Sequence, residues 1–312
     1  MARHANPKKI KRVKSIGIGA CFLAIALISY SVGRGLLNQP AKPSATTQKN
    51  PRTITKATSS SPMEVSTTSS SLPTMTNSSE QTKEAAKQLD ASKLQANANP
   101  VYYGVYYFDS GKELSSNNSA PTVSASVIKV FIMEYALTQA NSNEEIEGSS
   151  LMDWLLPMIQ QSDNAATNAL ITHFGMEKLN HYFQTQGYPD TRLERLMLDN
   201  DARAQGKENY TSLTDCMTFL KRLYQQRAIA PYSTMLEIME GQTVRTKIPS
   251  KLPTDVVVAN KTGELDTVEN DIGLVLTKEN PFAIVVLTQN FTNTEAIRSA
   301  IGDFSLAATT IK

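Results

Sequence analysis

Three short stretches hold the side chains whose types and spacing suit acyl transfer. Ser126-Val-Ile-Lys129 opens a helical pattern. Residues i and i+3 share a helix face, which places Lys129 one turn below the Ser126 hydroxyl. The helix N-terminus favours negative charge developing there. A lysine in that position takes the serine's proton if burial or nearby cations disfavour its own charge. Val127, Ile128, Val130 and Phe131 make those surroundings apolar. Ser162-Asp163-Asn164 stands between two helical patterns, a natural loop and N-cap position. Lys261-Thr262-Gly263 closes a strand pattern, where Gly263 lets backbone and ligand approach closely. Taken singly, these stretches fit a solvent-facing lysine, a helix cap and a strand-end turn. Taken together and in this order, they do not.

The elements that must position these residues follow from the hydrophobic period. Good helix formers begin at Ser79 and run to about Gln95, with Asn97–Pro100 ending the pattern. VYYGVYYFD over 101–109 is dense in Val and aromatics and predicts a strand, closed by Ser110-Gly111. Helical spacing covers 126–138, 151–160, 165–174 and 177–186, the last two stopped by Gly175 and Gly187. Residues 190–211 are polar and irregular. Ser212-x-x-Asp215 resembles a capping box opening a helix to about Gln226, and Pro231 starts a short helix ending at Gly241. The period then changes to strands at 256–260, 272–277 and 282–289, with GELDTVEND and KENP as the turns between them. A helix from about Asn293 to Thr309 closes the chain. The expected class is α+β: an antiparallel sheet flanked by helices, with a helical subdomain.

The chain's 312 residues carry a formal net charge of +2, but six basic residues and no acid lie in 1–14. Removing those six leaves −4 on the rest. A mildly acidic body argues against a phosphate-binding surface, so no nucleic-acid partner is expected. Residues 15–33 carry no charge and, as a helix, would rise ~28 Å, close to the thickness of a bilayer core. With the basic cluster before them, they predict a single-pass signal anchor with the following chain outside the cell membrane; a cleaved signal and a secreted domain is the alternative. Between Ser44 and Thr82, 20 of 39 residues are Ser or Thr, and no aromatic occurs between Tyr30 and Tyr102. Such a segment cannot bury enough apolar area to offset its ordering entropy, so 34–78 is expected to be a flexible stalk. The expected organisation is a basic tail over 1–14, an anchor over 15–33, the stalk, and a catalytic domain over 79–312 that folds as a monomer. Of the two cysteines, Cys21 lies in the apolar run and Cys216 in a helical pattern, so the domain is expected to fold without a disulfide.

Other chemistries lack their residues. A Ser-His-Asp hydrolase is disfavoured, since there is no G-x-S-x-G and the three histidines are His4, His173 and His181. No H-E-x-x-H or C-x-x-C spacing suggests a metal, and neither metal nor cofactor is expected.

S-x-x-K, S-D-N and K-T-G in this order are the known signature of class A β-lactamases and penicillin-binding proteins. From about Ser79 to Lys312 the sequence resembles that family. Gly104–Gly111, Thr191-Arg-Leu-Glu-Arg195 and Arg245–Pro253 support the resemblance. It implies that Ser126 is the acylated nucleophile and Lys129 its proton relay. Ser162 and Asn164 would line the cleft, Ser162 passing a proton to the leaving nitrogen. Lys261 and Thr262, followed by Gly263, would bind the substrate carboxylate, and the backbone N–H groups of Ser126 and Glu264 would form the oxyanion hole. The implied substrate is a β-lactam or a peptidoglycan stem peptide.

The sequence departs from the family in three places. Anchored on Thr191–Arg195, the place of the glutamate that activates the deacylating water holds Met197, which cannot act as a base. Glu194, Asp199 and Asp201 are the nearby carboxylates that a shifted register would bring into play. Ser126 and Ser162 lie only 36 positions apart, which implies a more open cleft. Asn270 stands where many members carry an arginine for the substrate carboxylate. The expected activity is therefore a serine hydrolase acylated by β-lactams and slow to release them. The alternatives are a D-Ala-D-Ala carboxypeptidase or a non-catalytic wall-binding module on the same fold.

Overall fold

A computed structural model of the protein describes residues 89–116, 120–141 and 143–311. All fall in the second of the chain's two units, Ser79–Lys312. The expected tail, anchor and stalk, and the first residues of the helix expected from Ser79, lie outside the described residues. Among the described residues, no helix is long and apolar enough to cross a membrane.

In chain order the elements are α1 (Ser92–Asn97), β1 (Val101–Tyr107), β2 (Glu113–Ser115), β3 (Thr122–Val123), a 3-10 turn (Ala125–Ile128) and α2 (Lys129–Gln139). Next come β4 (Glu145–Ile146), β5 (Ser149–Ser150), α3 (Leu151–Gln160), α4 (Asn164–Phe174), α5 (Met176–Thr185), α6 (Asn200–Ala204) and β6 (Tyr210–Thr211). The remainder is α7 (Leu213–Gln226), α8 (Tyr232–Glu240), a second 3-10 turn (Ile248–Lys251), β7 (Val257–Leu265), β8 (Val268–Leu276), β9 (Phe282–Thr288) and α9 (Thr294–Ala308). The main sheet is antiparallel in the order β2-β1-β9-β8-β7. This is the α+β arrangement that the sequence predicts.

The sheet separates two cores, which is why its strands are apolar on both faces. In β9, Phe282, Ile284 and Val286 join Ile297, Ile301 and Phe304 of α9. Alternate residues Ala283, Val285 and Leu287 join the larger core of α2 to α5, α7 and α8. The α9 residues recur at helical spacing, and Asn293 caps that helix by accepting the Ala296 N–H at 2.8 Å. On the opposite face α7 turns Leu213, Cys216, Leu220 and Leu223 inward. Cys216 is fully buried and free, its thiol pushed up to about 12 by burial, so it packs without reacting.

Two local expectations change. β7 and β8 extend through the stretch expected as a turn, leaving only Asp266-Thr267 between them. Polar residues broke the apolar pattern there, yet Glu269, Asn270 and Asp271 are buried because each has a partner, as shown below. The capping box at Ser212 is half of one: Ser212 Oγ accepts the Asp215 N–H at 3.2 Å. The Asp215 carboxylate instead accepts from Asp190 N and Thr191 Oγ1, pinning the start of the 190–211 segment.

Candidate active site

The site forms where the 3-10 turn before α2, the loop before α4 and edge strand β7 meet. Two non-glycine residues there hold left-handed backbone, Ala125 at φ +47° and Ser162 at φ +58°. Such residues cost ~1–3 kcal/mol each and persist only where their surroundings enforce them. Gly263 shows what enforces the first. A Cβ at that position would lie 2.8 Å from the Ser124 carbonyl oxygen and 3.2 Å from Ser126 N. Only a glycine lets β7 pass that close to the turn carrying Ser126. From β8, the buried Asn270 side chain donates to the carbonyls of Val123 (2.9 Å) and Ser124 (3.2 Å) and accepts the Thr288 N–H at 2.8 Å. Asn270 therefore ties the segment before Ser126 to the sheet.

Lys129 is fully buried at the start of α2. Its ammonium donates to the Ser162 carbonyl at 2.7 Å, Asn164 Oδ1 at 2.9 Å and Ser162 Oγ at 3.3 Å. Burial pushes it down to about 7, with Asp163 offsetting part of that shift. Lys261, inside β7 and also fully buried, donates to Ser162 Oγ at 3.0 Å and to the Thr262 carbonyl at 2.8 Å. Burial and then the charge of Lys129 hold Lys261 well below the usual lysine range. Ser162 Oγ thus bridges two desolvated lysines. Asp163 caps α4 through Ala166 N (2.7 Å), freeing Ser162 and Asn164 to face Lys129.

Lys129 does not hydrogen-bond to the Ser126 hydroxyl, and among the described residues that hydroxyl has no side-chain partner. Instead, Ser126 shares a cavity of about 80 Å³ with Asn164, Arg195, Met197, Glu208 and Glu264. Contacts between nucleophile and base often close only when substrate binds.

Met197 is 7% exposed and lines this cavity. Its backbone is clasped by Asn168 of α4, which accepts the Met197 N–H at 2.7 Å and donates to its carbonyl at 3.0 Å. Glu194 accepts from Arg192 Nε at 2.7 Å, Asp199 caps α6 through Ala202 N at 2.9 Å, and Asp201 is exposed within that helix. None of those three lines the cavity. Glu208 does, in an ion pair with Arg195 that joins the two arms of the loop. The sequence reading missed Glu208 and Asn168, and it singled out Asn270 only as standing in place of an arginine, not as the tie that holds the segment before Ser126. Asn168 left one signal, an amide among the apolar residues of a helix; Glu208 lay in a stretch with no period to mark it.

Behind β7, the fully buried Lys247 lies 2.6 Å from Glu269 Oε2 and 3.1 Å from Glu264 Oε1. Arg298 of α9 lies 2.7 Å from Glu269 Oε1 and 3.1 Å from Glu264 Oε2. Asp271 accepts from Asn260 Nδ2 at 2.9 Å and Ile248 N at 3.0 Å. Its carboxyl is pushed up to about 6 by burial, against the pull of Lys247. No group of His, Cys, Asp and Glu among the described residues could hold a metal ion.

Comparison with known proteins bears on the family and the fold. The model of a family described as "Beta-lactamase enzyme family" matches residues 144–311. An imipenem-hydrolysing β-lactamase of Enterobacter cloacae is 31% identical over 150 residues, covering 45% of this chain and 51% of that protein. The chain thus spans about half the length of the curated relative it matches. A β-lactamase structure from Sphaerobacter thermophilus superposes with TM-score 0.59 at 23% identity, covering 70% of this chain and 93% of the other. An ancestral class A β-lactamase gives 0.63 at 18%, covering 70% and 96%. A protein named PBP-A gives 0.58 at 21%, covering 70% and 92%. At these identities the structures share the fold.

Proposed function

The chain belongs to the β-lactamase enzyme family, whose model spans more than half of it, and on that premise we propose that it is a penicillin-binding serine acyl-enzyme that hydrolyses β-lactams slowly. The family match begins at residue 144, past Ser126 and Lys129, so it does not itself assign the nucleophile. The observation that carries the reading is Ser162 Oγ, held between buried Lys129 at 3.3 Å and buried Lys261 at 3.0 Å beside the Ser126 cavity.

In this reading Ser126 Oγ attacks the amide carbonyl and its proton passes to Lys129, which is neutral above about pH 7. Neutral Lys129 has a lone pair, so the Ser162 hydroxyl can donate to Lys129 while accepting from Lys261. That chain carries the proton on to the departing nitrogen. The backbone N–H groups of Ser126 and Glu264 receive the oxyanion, and Lys261 and Thr262 receive the ligand's carboxylate. The strained Ala125 and the close passage of Gly263 preset this geometry.

Release of the acyl group needs a base that aims a water. Met197 lines the cavity without one, Glu194, Asp199 and Asp201 are set outside it, and the two carboxylates that do line it, Glu208 and Glu264, are engaged in ion pairs with Arg195 and with Lys247 and Arg298. This supports a long-lived acyl-enzyme, since a positioned general base contributes ~10²–10⁴-fold. The uncharged run over 15–33 after a basic cluster supports placing this activity outside the cell membrane, where peptidoglycan stem peptides are the natural counterpart of a β-lactam. The experiment is benzylpenicillin labelling of the wild type and Ser126→Ala, read by peptide mass. A one-to-one adduct on Ser126, absent from the variant, is expected; labelling that persists in Ser126→Ala contradicts the reading.

A further inference from the structure

Asp215 is a buried carboxylate that the proposed chemistry does not use. It stands in the first turn of α7 and is fully buried, and among the described residues no lysine or arginine bonds to it. A carboxylate placed so is costly. Its Oδ2 takes two hydrogen bonds from the start of the 190–211 loop, from Asp190 N at 3.0 Å and Thr191 Oγ1 at 2.7 Å, while its Oδ1 has no partner. Thr191 Oγ1 lies 2.9 Å from Thr211 Oγ1 at the other end of that loop. Since Thr191 gives its proton to Asp215, the Thr211 hydroxyl is the donor in that pair. Thr211 on β6 stands opposite Thr122 on β3, and Arg192 and Tyr210 exchange both backbone hydrogen bonds, at 3.1 and 3.0 Å. Asn209 continues the ladder, its carbonyl accepting the Ser124 N–H at 2.9 Å. The next two residues along the chain are Ala125, in left-handed backbone, and Ser126.

We infer that Asp215 is a positioning residue for Ser126: through Thr191 and Thr211 its carboxylate joins the two ends of the loop and so fixes the strand that leads into the Ser126 turn. The inference deepens the proposed acyl-enzyme reading and rests on it for the role of Ser126. Both hydrogen bonds to the carboxylate come from the loop, and α7 is already capped by Ser212 Oγ, which accepts the Asp215 N–H at 3.2 Å. The side chain therefore serves the loop and not its own helix. What it supplies is an acceptor, since no cation bonds to it, and the amide oxygen of asparagine offers the same lone pairs. Misplacing a reacting group by ~1 Å costs up to ~10²-fold in rate, so a ladder that ends two residues before the nucleophile bears on acylation.

The test follows acylation of the full-length protein over a range of benzylpenicillin concentrations, so that the limiting rate separates from the half-saturating concentration. Asp215→Ala is expected to lower the limiting rate about tenfold and to move the half-saturating concentration less than about twofold. Asp215→Asn keeps the acceptor and is expected to stay within about threefold of the wild-type limiting rate. Thr191→Val breaks the same row of hydrogen bonds at its middle and serves if Asp215→Ala fails to fold; combined with Asp215→Ala it should add little. Arg222→Met, which strips the buried Glu134 of its cation in the helical core, is the control for lost stability and should acylate at the wild-type rate. Hydrogen exchange at the Ser124 amide is read in parallel and should quicken in Asp215→Ala and recover in Asp215→Asn. Acylation by Asp215→Ala at the wild-type rate, an Asp215→Asn protein as slow as Asp215→Ala, or an equal loss in Arg222→Met overturns the inference. Absence of an adduct on Ser126 in the wild type counts against the proposed function; Ser124 exchange unchanged in Asp215→Ala counts against the inference whether or not the protein acylates.

Discussion

Ser162 carries more of the proposed chemistry than any residue except the nucleophile, because its hydroxyl joins Lys129 to Lys261. Ser162→Ala should lower the rate of acylation by benzylpenicillin by ~10²-fold or more and leave the melting temperature within a few degrees of wild type. A variant that acylates at the wild-type rate would remove Ser162 from the proton path. The sign of the pH dependence follows from Lys129. Burial lowers its folded-state value to about 7, so it is charged below that pH and neutral above it. Only the neutral form accepts a proton. The acylation rate should therefore climb as pH rises through about 7 and then level, and a flat profile across that range would contradict Lys129 as the base. The residue types of this path were legible in the sequence, since S-x-x-K, S-D-N and K-T-G name them. Their connection was not: the i to i+3 spacing predicted a Lys129–Ser126 contact, whereas the lysine's bonds go to Ser162 and Asn164 across a loop that spacing cannot see.

At the scale of elements, β7 and the 3-10 turn before α2 act as one part. Gly263→Ala would drive a methyl group to 2.8 Å from the Ser124 carbonyl. Urea unfolding should show a loss of ~1–3 kcal/mol, and acylation should slow as the Ser126 N–H shifts; an unchanged variant would mean that the close passage is not a constraint. The loop over the cavity depends in the same way on α4. Asn168→Ala removes both hydrogen bonds to the Met197 backbone, so the Met197 amide should exchange hydrogen faster while the β9 amides keep their protection. Exchange at Met197 unchanged from wild type would show that Asn168 does not hold the loop. Most helices were legible because caps and apolar spacing coincide, as at 151–160, which matches α3. The hairpin of β7 and β8 was cut short because Glu264, Glu269, Asn270 and Asp271 look like turn residues. Glu269 and Asp271 are buried only because Lys247, Arg298 and Asn260 partner them, and Asn270 because the backbone of Val123, Ser124 and Thr288 does.

For the molecule as a whole, the helical side is held by a buried polar group that plays no part in the chemistry. Glu134 of α2 is fully buried; it accepts from Tyr188 Oη at 2.8 Å and Arg222 Nη1 at 3.1 Å. Burial raises its carboxyl, and Arg222 pulls it back. Arg222→Met should cost roughly 2–3 kcal/mol by urea unfolding, because one partner leaves and a buried charge stays. Adding Glu134→Leu should recover most of that loss, and a double variant no more stable than Arg222→Met would contradict the pairing. This network was illegible in the sequence, since its members lie far apart along the chain and carry no motif, whereas the α+β order of elements was plain in the change of hydrophobic period. The account's central claim joins the two lobes at Ser126: the acyl-enzyme forms readily and leaves slowly. Intact-mass spectrometry of the full-length protein mixed with benzylpenicillin and followed over time tests it most directly. The account predicts a one-to-one adduct that accumulates and persists over many minutes, and that disappears at least about tenfold faster in Met197→Glu. Rapid consumption of benzylpenicillin with no accumulating adduct in the wild type would contradict it.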